Sequence, residues 1–377
     1  MRMVTETPAG SAVSAARQLT AGGRVLLCAG CLLLSACGTT YLLQAGTGEL
    51  RVLRARVPID TLIADPHTPA PLRARLTEVR AARAFASAEL HLPDNKSYTT
   101  YADIARPYVV WNVVATPEFS VSPRVWCFPV AGCVAYRGYF NERRAREFAA
   151  DLAVRGFDVV IDPVPAYSTL GKFSDPVLST MLRYDDDELA STIFHELAHQ
   201  LLYVRNDSEF NEAFATTVED AGLERWLVHQ GQPGRIREFR ERQTQSREFL
   251  DLLGASRAQL ARLYATGAPR DALRAGKVRI FAALAAAVRA LEQRQGVHYV
   301  VYDEWLAAGL NNARLASVAT YFDCVPGFER LLAESDGDLV RFYAAVRALA
   351  QQPRATRHAQ LCTRTPVATA LARAAGA

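Results

Sequence analysis

The most informative segment of the chain reads Thr192-Ile193-Phe194-His195-Glu196-Leu197-Ala198-His199-Gln200. Its two histidines are four residues apart, so on a helix both imidazoles lie on one face and can reach the same Zn²⁺ ion. Glu196 follows the first histidine and can take a proton from a zinc-bound water, whose pKa the metal lowers towards roughly 7. The segment therefore predicts one zinc ion per chain, with His195 and His199 as ligands and Glu196 as general base.

The residues around this segment favour a helix. Four acids at 185–188 precede and enter its first turn, where the positive end of the helix dipole stabilises them. Five apolar residues provide a packing face, namely Ile193, Phe194, Leu197, Leu201 and Leu202. The alternative is a buried histidine pair without a metal, but polar groups among such neighbours need partners.

A catalytic zinc site normally has three protein ligands and one open position. Asn211-Glu212 opens the next predicted helix, so Glu212 can point back at the two histidines and is the predicted third ligand. Glu209 and Glu219 on the same segment are rival ligands. A His-x-x-Gly-x-x-His continuation, which marks another class of zinc peptidase, is absent from the sequence.

Strand signals precede this helix, and helical signals follow it. β-Branched and aromatic residues predict strands over 108–114, 134–140 and 157–161, with a helix over 142–155. After residue 187 the pattern is almost wholly helical. The predicted class is α+β, with a small antiparallel sheet, a mostly helical half, and the His-Glu helix where they meet.

The N-terminal residues predict export. Arg17 and Arg24 precede an apolar stretch over 25–34, which is too short to span a bilayer as a stable helix. The following Leu34-Ser35-Ala36-Cys37 resembles the lipobox of bacterial lipoproteins, in which Cys37 would be lipidated after removal of a signal peptide at 1–36. The alternatives are a signal anchor, or a plain signal peptide cut elsewhere.

The lipobox resemblance implies a lipid-anchored protein of the bacterial cell envelope that faces the periplasm. Gly38 stands where sorted lipoproteins retained in the inner membrane carry Asp, which implies the outer membrane. We expect a tether and first helix over 37–60. A single catalytic domain is expected over 61–377, with a mixed α/β part at 61–186 and a helical part at 187–377.

The composition excludes some classes and raises the question of disulfides. A formal net charge of +4 over 377 residues, with scattered arginines, predicts no nucleic-acid partner. Four cysteines remain after Cys37, which suggests two disulfides in an exported protein. Cys127 and Cys133 can close a small loop, leaving Cys324 with Cys362, but three pairings are open. Four buried thiols are the alternative.

His195-Glu196-x-x-His199 followed by Asn211-Glu212-Ala213-Phe214-Ala215 resembles the gluzincin metallopeptidases. In their aminopeptidase N-like members a similar Asn-Glu-x-Phe-Ala carries the third ligand, although the spacing here is shorter. The chain is more similar to a family of bacterial lipoproteins described as predicted aminopeptidases. The segments that carry this similarity are 136–140 (Tyr-Arg-Gly-Tyr-Phe), 175–180 (Asp-Pro-Val-Leu-Ser-Thr) and 311–315 (Asn-Asn-Ala-x-Leu).

This resemblance implies a zincin-like catalytic domain with a peptide substrate, and it makes aminopeptidase activity the expected function. In gluzincins an edge strand aligns the substrate backbone, and 134–140 is the expected strand, with Gly138 and Tyr139 as substrate-binding residues. An ordinary core strand is the alternative. An oxyanion donor is also needed, and Tyr302 and Tyr321 are the principal candidates beside Tyr203 and His298.

Two further functions are compatible with the sequence. The chain can be a non-catalytic lipoprotein that binds envelope partners, although a structural zinc site has no need of Glu196. It can also be a zinc amidase that acts on cell-wall material rather than on peptides. Protein partners are not indicated by the sequence.

Overall fold

The computed structural model describes residues 40–128, 132–296 and 300–362, without the side chains of residues 233, 300, 301 and 319–321. The expected signal peptide and Cys37 lie outside these residues and stay predictions. The first described helix, α1, covers residues 40–54. The chain divides into two units between Thr47 and Gly48, and the architecture given below belongs to the unit that begins at Gly48.

Short strands form three small sheets within the described residues. One sheet has the order β1-β2-β8, with β1 at Arg56–Pro58, β2 at Thr100–Ala102 and β8 at Val177–Leu178. The second has the order β6-β3-β7, with β3 at Val110–Pro117, β6 at Arg137–Tyr139 and β7 at Phe157–Val164. The third pairs β4 (Trp126–Phe128) with β5 (Gly132–Val134). Only β2 and β8 pair in parallel among them.

Helices make up most of the remaining described chain. Before the His-Glu segment lie α2 (Ile59–Ala64), α3 (Ala70–Ala88) and α4 (Glu142–Val154). The segment itself is in α5 (Asp186–Leu201), which is followed by α6 (Ser208–His229), α7 (Pro233–Tyr264) and α8 (Arg270–Gln295). The last helices are α9 (Val300–Ala307), α10 (Asn312–Phe322), α11 (Val325–Glu334), α12 (Leu339–Ala350) and α13 (Arg354–Leu361).

The predicted α+β class is confirmed, and the differences from the sequence prediction are local. The strand expected over 134–140 is broken, because β5 ends at Val134 and β6 begins at Arg137. β7 continues through Pro163, which is tolerated since β7 is an edge strand of its sheet. No separate helix was predicted for α2, α11 or α13.

The largest hydrophobic core surrounds the pair formed by α5 and α6. Phe194 and Leu197 of α5, and Phe210 and Phe214 of α6, are fully buried in it. A second cluster lies on α7 and α8, where Leu260 is fully buried. Because α5 and α6 pack at the centre of the first core, polar side chains on their facing turns are held in fixed positions.

The disulfides are Cys127–Cys133 and Cys324–Cys362, which is one of the three pairings that the sequence allows. The first joins directly opposed residues of β4 and β5. The second links the residue before α11 to the residue after α13 across 38 positions, a closure that stabilises the fold by roughly 4 kcal/mol. No described helix has both the length and the apolar character that crossing a bilayer requires.

Candidate active site

Helix α5 positions the three residues of the His-Glu segment. Its first turn is fixed by a capping box, in which Asp185 accepts a hydrogen bond from the Glu188 amide and Glu188 accepts one from the Asp185 amide. The acids at this end suit the helix dipole, as the sequence predicted. His195, Glu196 and His199 lie in the C-terminal half of the helix, which ends at Leu201.

The connection from α5 to α6 is short and is held by side-chain amides. Buried Asn211 both accepts a hydrogen bond from the Val204 amide (2.7 Å) and donates one to the Val204 carbonyl (2.8 Å). Asn206 accepts a hydrogen bond from the amide of Cys133 at 2.7 Å, which ties the β4–β5 hairpin to the same connection. These contacts set the start of α6 against α5, and Glu212 follows Asn211 directly.

The structure brings the three predicted ligands together. One carboxylate oxygen of Glu212, Oε2, lies 3.4 Å from Nε2 of His195 and 3.5 Å from Nε2 of His199. The centroids of the two imidazole rings are 4.8 Å apart, and the ring planes are nearly perpendicular. These side chains form one of the groups in the described residues whose ligand atoms could hold a metal ion.

The donor set fits zinc. Two donor atoms that each lie about 2.1 Å from a tetrahedral zinc ion are about 3.4 Å apart, which matches the two separations that Glu212 makes. Two imidazole nitrogens and one carboxylate oxygen are also the ligand types of catalytic zinc sites that keep one position open. The side chains present therefore suit this ion without rearrangement of the helices.

The two rival ligands, Glu209 and Glu219, do not lie between the Nε2 atoms of the two histidines as Glu212 does. Glu219 lies on the opposite side of His195, where its Oε2 is 2.9 Å from Nδ1. Glu209 pairs instead with Arg354 at 2.9 Å. Glu212 alone of the three acids contacts both histidines among the ion pairs of the described residues.

In the other groups of metal-ligand side chains among the described residues, some members already form a disulfide or an ion pair. Cys324 and Cys362, which lie near His358, are joined in a disulfide. Asp207, which also lies near His358, forms a buried ion pair with Arg357 at 2.7 Å. The group on α5 and α6 is therefore the best candidate for a metal site.

The pKa values of Glu212 and Glu196 are shifted in opposite directions. Burial would raise the pKa of Glu212, but the adjacent His199 and His195 outweigh it and lower that pKa to about 2. Burial raises the pKa of Glu196, and the positive charges of the two histidines only partly oppose that rise. One acid is thus held as an anion beside the imidazoles, while the other has a stronger tendency to bind a proton.

A hydrogen-bond network supports the end of α5 beside the site. The Asp175 carboxylate is buried and accepts bonds from the Thr169 hydroxyl (2.6 Å) and from the side-chain amide of Gln200 (3.3 Å). Gln200 follows His199 directly, and its oxygen accepts a bond from Asn95 at 2.8 Å. The loop before β8 is therefore fastened to the helix that carries both histidines.

Tyr184 is a residue of this region that the sequence argument missed. It lies just before α5, where burial first, and then the charges of Glu188, Glu219 and Glu196, together raise the pKa of its phenol to about 12. Its phenol consequently stays protonated at neutral pH. No spacing rule marks it, because its approach to the site depends on the turn that precedes α5.

A family model described as "Putative aminopeptidase" matches residues 40–361. The chain belongs to this family. No curated protein and no solved structure matches the chain. The family matches the sequence resemblance at the level of a peptidase, and the matched residues include all of the α5–α6 site.

The predicted substrate-binding residues of this family member lie on an edge strand. Gly138 and Tyr139 are in β6, at the edge of the β6-β3-β7 sheet, opposite Asn112 and Trp111 respectively. A Cβ on Gly138 would come within 2.9 Å of the Val110 side chain, so the glycine permits close packing inside the sheet. Tyr139 is buried, with its ring 5.6 Å from that of Phe148.

Two of the four predicted oxyanion donors, Tyr302 and Tyr203, have side chains that the structure describes. Tyr302 is buried in the second hydrophobic cluster and stacks on Phe249 at 4.2 Å. The backbone of Tyr321 is in α10, but its side chain and the whole of His298 lie outside what the structure describes. Tyr203 has its ring 6.4 Å from that of His199, and it is the tyrosine of this set with a described contact to the histidine pair.

Proposed function

We propose that this protein is a zinc-dependent peptidase, specifically an aminopeptidase. The observation that carries the proposal is the approach of Glu212 to both histidine Nε2 atoms, at 3.4 and 3.5 Å. Membership of the aminopeptidase family supports a peptide as the substrate. Beyond that family membership, we propose the identity of the metal, the exopeptidase activity and the roles of the single residues.

His195, His199 and Glu212 would hold the ion. Bound there, zinc would supply a positive charge that acidifies water and polarises the carbonyl of the scissile bond. Glu219 holds the His195 ring through Nδ1 and so directs Nε2 towards the other two ligands. The anionic Glu212 is suited to this role by its pKa of about 2.

Glu196 would act as general base and then as general acid. It is adjacent to His195, and none of the ion pairs among the described residues joins it to His195, His199 or Glu212. Its carboxylate can therefore take a proton from the attacking water. Its raised pKa favours holding that proton until the leaving amine receives it. The proton therefore moves from water to the carboxylate and then to the amine nitrogen of the product.

Replacement of Glu196 by glutamine tests this role. We expect Glu196→Gln to lower kcat/KM for peptide hydrolysis by at least about a hundredfold, since general base catalysis is lost. Zinc content should stay at one ion per chain, because the ligands are intact. Glu241→Gln, which alters an exposed acid on α7, is the matched control and should keep full activity.

Full activity in Glu196→Gln would exclude the proposed mechanism. A zinc content near zero in protein purified without chelators would instead favour a binding lipoprotein without catalysis. Hydrolysis of cell-wall amides but of no peptide would point to the amidase alternative.

We also propose that the protein acts at the bacterial cell envelope, anchored by lipid on Cys37 and facing the periplasm from the outer membrane. The motif at residues 34–37 supports this location. Cys37→Ser should move the protein from the membrane fraction to the soluble fraction of fractionated cells. An unchanged distribution of the variant would contradict lipid anchoring.

A further inference from the structure

A cavity of about 530 Å³ opens beside His195. Its walls come from α5, α6, α7, the end of α10 and the first half of α11, and they include both His195 and Glu219. The cavity therefore adjoins the candidate metal site on the side of His195 that carries Nδ1. If the scissile bond of a peptide lies at the metal site, a side chain of that peptide next to the bond can enter the cavity.

The walls of this cavity are predominantly acidic. Six carboxylates line it, those of Asp187, Glu188, Glu219, Asp220, Asp251 and Glu329, against the two guanidinium groups of Arg242 and Arg247. Arg247 is paired with Glu329 at 2.5 Å. Arg235, from outside the lining, pairs with Asp187, and His195 contacts Glu219. The carboxylates of the wall still outnumber these cationic partners, so the space would attract a cation.

Among the carboxyls of this wall, Asp220 has a pKa that is raised well above its usual range. Burial and, after it, the negative charge of the neighbouring Glu219 raise its pKa to about 7, although a hydrogen bond from Gln243 opposes the rise. A carboxyl in such surroundings gains more from an incoming ammonium than an exposed one does, because the cation relieves both effects.

The rest of the lining is apolar. Leu223, Phe239, Leu250, Phe322, Val325 and Pro326 complete the walls. A surface that combines apolar walls with carboxylates suits a side chain that has a long aliphatic stem and a charged end.

We propose that this cavity is a subsite for a long cationic side chain of the peptide substrate, that of lysine or arginine, with its charged end among Asp220, Glu219 and Glu329. The inference rests on the proposed function, since it takes the occupant to be part of a peptide. It adds a substrate class to that function, namely peptides with a basic residue next to the scissile bond.

Binding of four matched probes to the full-length, zinc-loaded Glu196→Gln protein tests the subsite. The probes are lysinamide, norleucinamide and their Nα-acetyl forms, so that the side-chain ammonium and the α-ammonium are varied separately. Isothermal titration calorimetry should show that Nα-acetyl-lysinamide binds at least about tenfold more tightly than Nα-acetyl-norleucinamide, as expected for a charge-assisted hydrogen bond.

Two variants locate the effect. Combining Asp220→Asn with Glu329→Gln should abolish the preference for the side-chain ammonium, and Glu241→Gln should leave it unchanged, because Glu241 does not line the cavity. Equal binding of the lysine and norleucine probes would overturn the proposal. A preference that depends only on the α-ammonium, or that survives the double substitution, would also overturn it.

The outcome separates this inference from the proposed function. If the protein with intact Glu196 cleaves no peptide but the lysine preference is present, the cavity remains a cation subsite while the peptidase proposal fails. If peptides are cleaved without any lysine preference in binding, the subsite fails alone.

Discussion

Glu219 contacts the Nδ1 side of His195 and does not take the place of Glu212 as a ligand. Its expected role is to hold the His195 ring in position. Its Oε2 lies 2.9 Å from Nδ1, so the carboxylate can accept that N–H and leave Nε2 free to bind a metal. Together, Glu212 and Glu219 also raise the pKa of His195 well above its usual value, despite the opposing effect of burial. The metal-free site therefore holds a proton that zinc must displace.

Substitution of Glu219 by glutamine should weaken zinc binding by roughly ten- to a hundredfold, because the orientation of His195 is no longer fixed by a carboxylate. Competition with a chromophoric chelator measures the affinity. Glu224→Gln on the same helix is the control, since Glu224 pairs with Arg240 away from the histidines. Unchanged zinc affinity in Glu219→Gln would contradict the role assigned to this residue.

Sequence spacing predicted His195, Glu196 and His199 because four-residue spacing within one helix is a local property. The choice among Glu209, Glu212 and Glu219 was harder. Glu212 and Glu219 are seven residues apart, about two helical turns, so both lie on the face of α6 that meets α5. Which acid reaches both Nε2 atoms depends on how far α6 is shifted along α5, and the Asn211–Val204 contacts set that shift.

At the scale of elements, α6 is anchored at its start by α13, from the far end of the described chain. The Asp207 carboxylate precedes α6 and is fully buried, where it accepts hydrogen bonds from Arg357 (2.7 Å) and pairs with His358 (2.7 Å). Burial would raise the pKa of Asp207, but hydrogen bonds from His358 and Arg357 outweigh it and hold the pKa below its usual value. The carboxylate form therefore stabilises the fold.

Asp207→Asn should lower the free energy of unfolding by about 3 kcal/mol or more at neutral pH, since it leaves the buried Arg357 without its anion. Because the folded-state pKa of Asp207 is lowered, this contribution is complete above the unfolded value of about 3.9 and is lost as the pH falls through the folded value. The difference between the two proteins should thus shrink towards about pH 3.

Urea unfolding at both pH values measures these free energies. Asp336→Asn is the control, since Asp336 is exposed and pairs with Arg341 at the surface, and it should change stability by no more than about 0.5 kcal/mol. A loss in Asp207→Asn that is the same at both pH values would show that the charge of Asp207 is not its source.

The sequence predicted helices correctly where the helical spacing of apolar residues continues over many residues, as in α6 and α7. The prediction was less accurate where tertiary contacts interrupt the pattern. The segment over 134–140 reads as one strand, but β5 pairs with β4 while β6 pairs with β3, so the chain bends between Val134 and Arg137. The short α13 carries few apolar residues and is held by Asp207 and a disulfide, which are long-range partners that local propensity does not reveal.

For the whole molecule, the sequence predicted the α+β class and the position of the His-Glu helix between strands and helices. It did not predict the acidic cavity, because the lining residues come from five helices and run from Asp187 to Glu329 along the chain. It also did not predict that three small sheets replace one. Both features depend on how elements pack, which the pattern within each element does not specify.

We propose that one zinc ion is bound between α5 and α6. Anomalous diffraction from crystals of the zinc-loaded protein, recorded at the zinc absorption edge, tests this directly. We expect a single strong peak about 2.1 Å from the Nε2 atoms of His195 and His199 and from a carboxylate oxygen of Glu212. The absence of a peak among these three side chains, or a peak only elsewhere, would contradict the account.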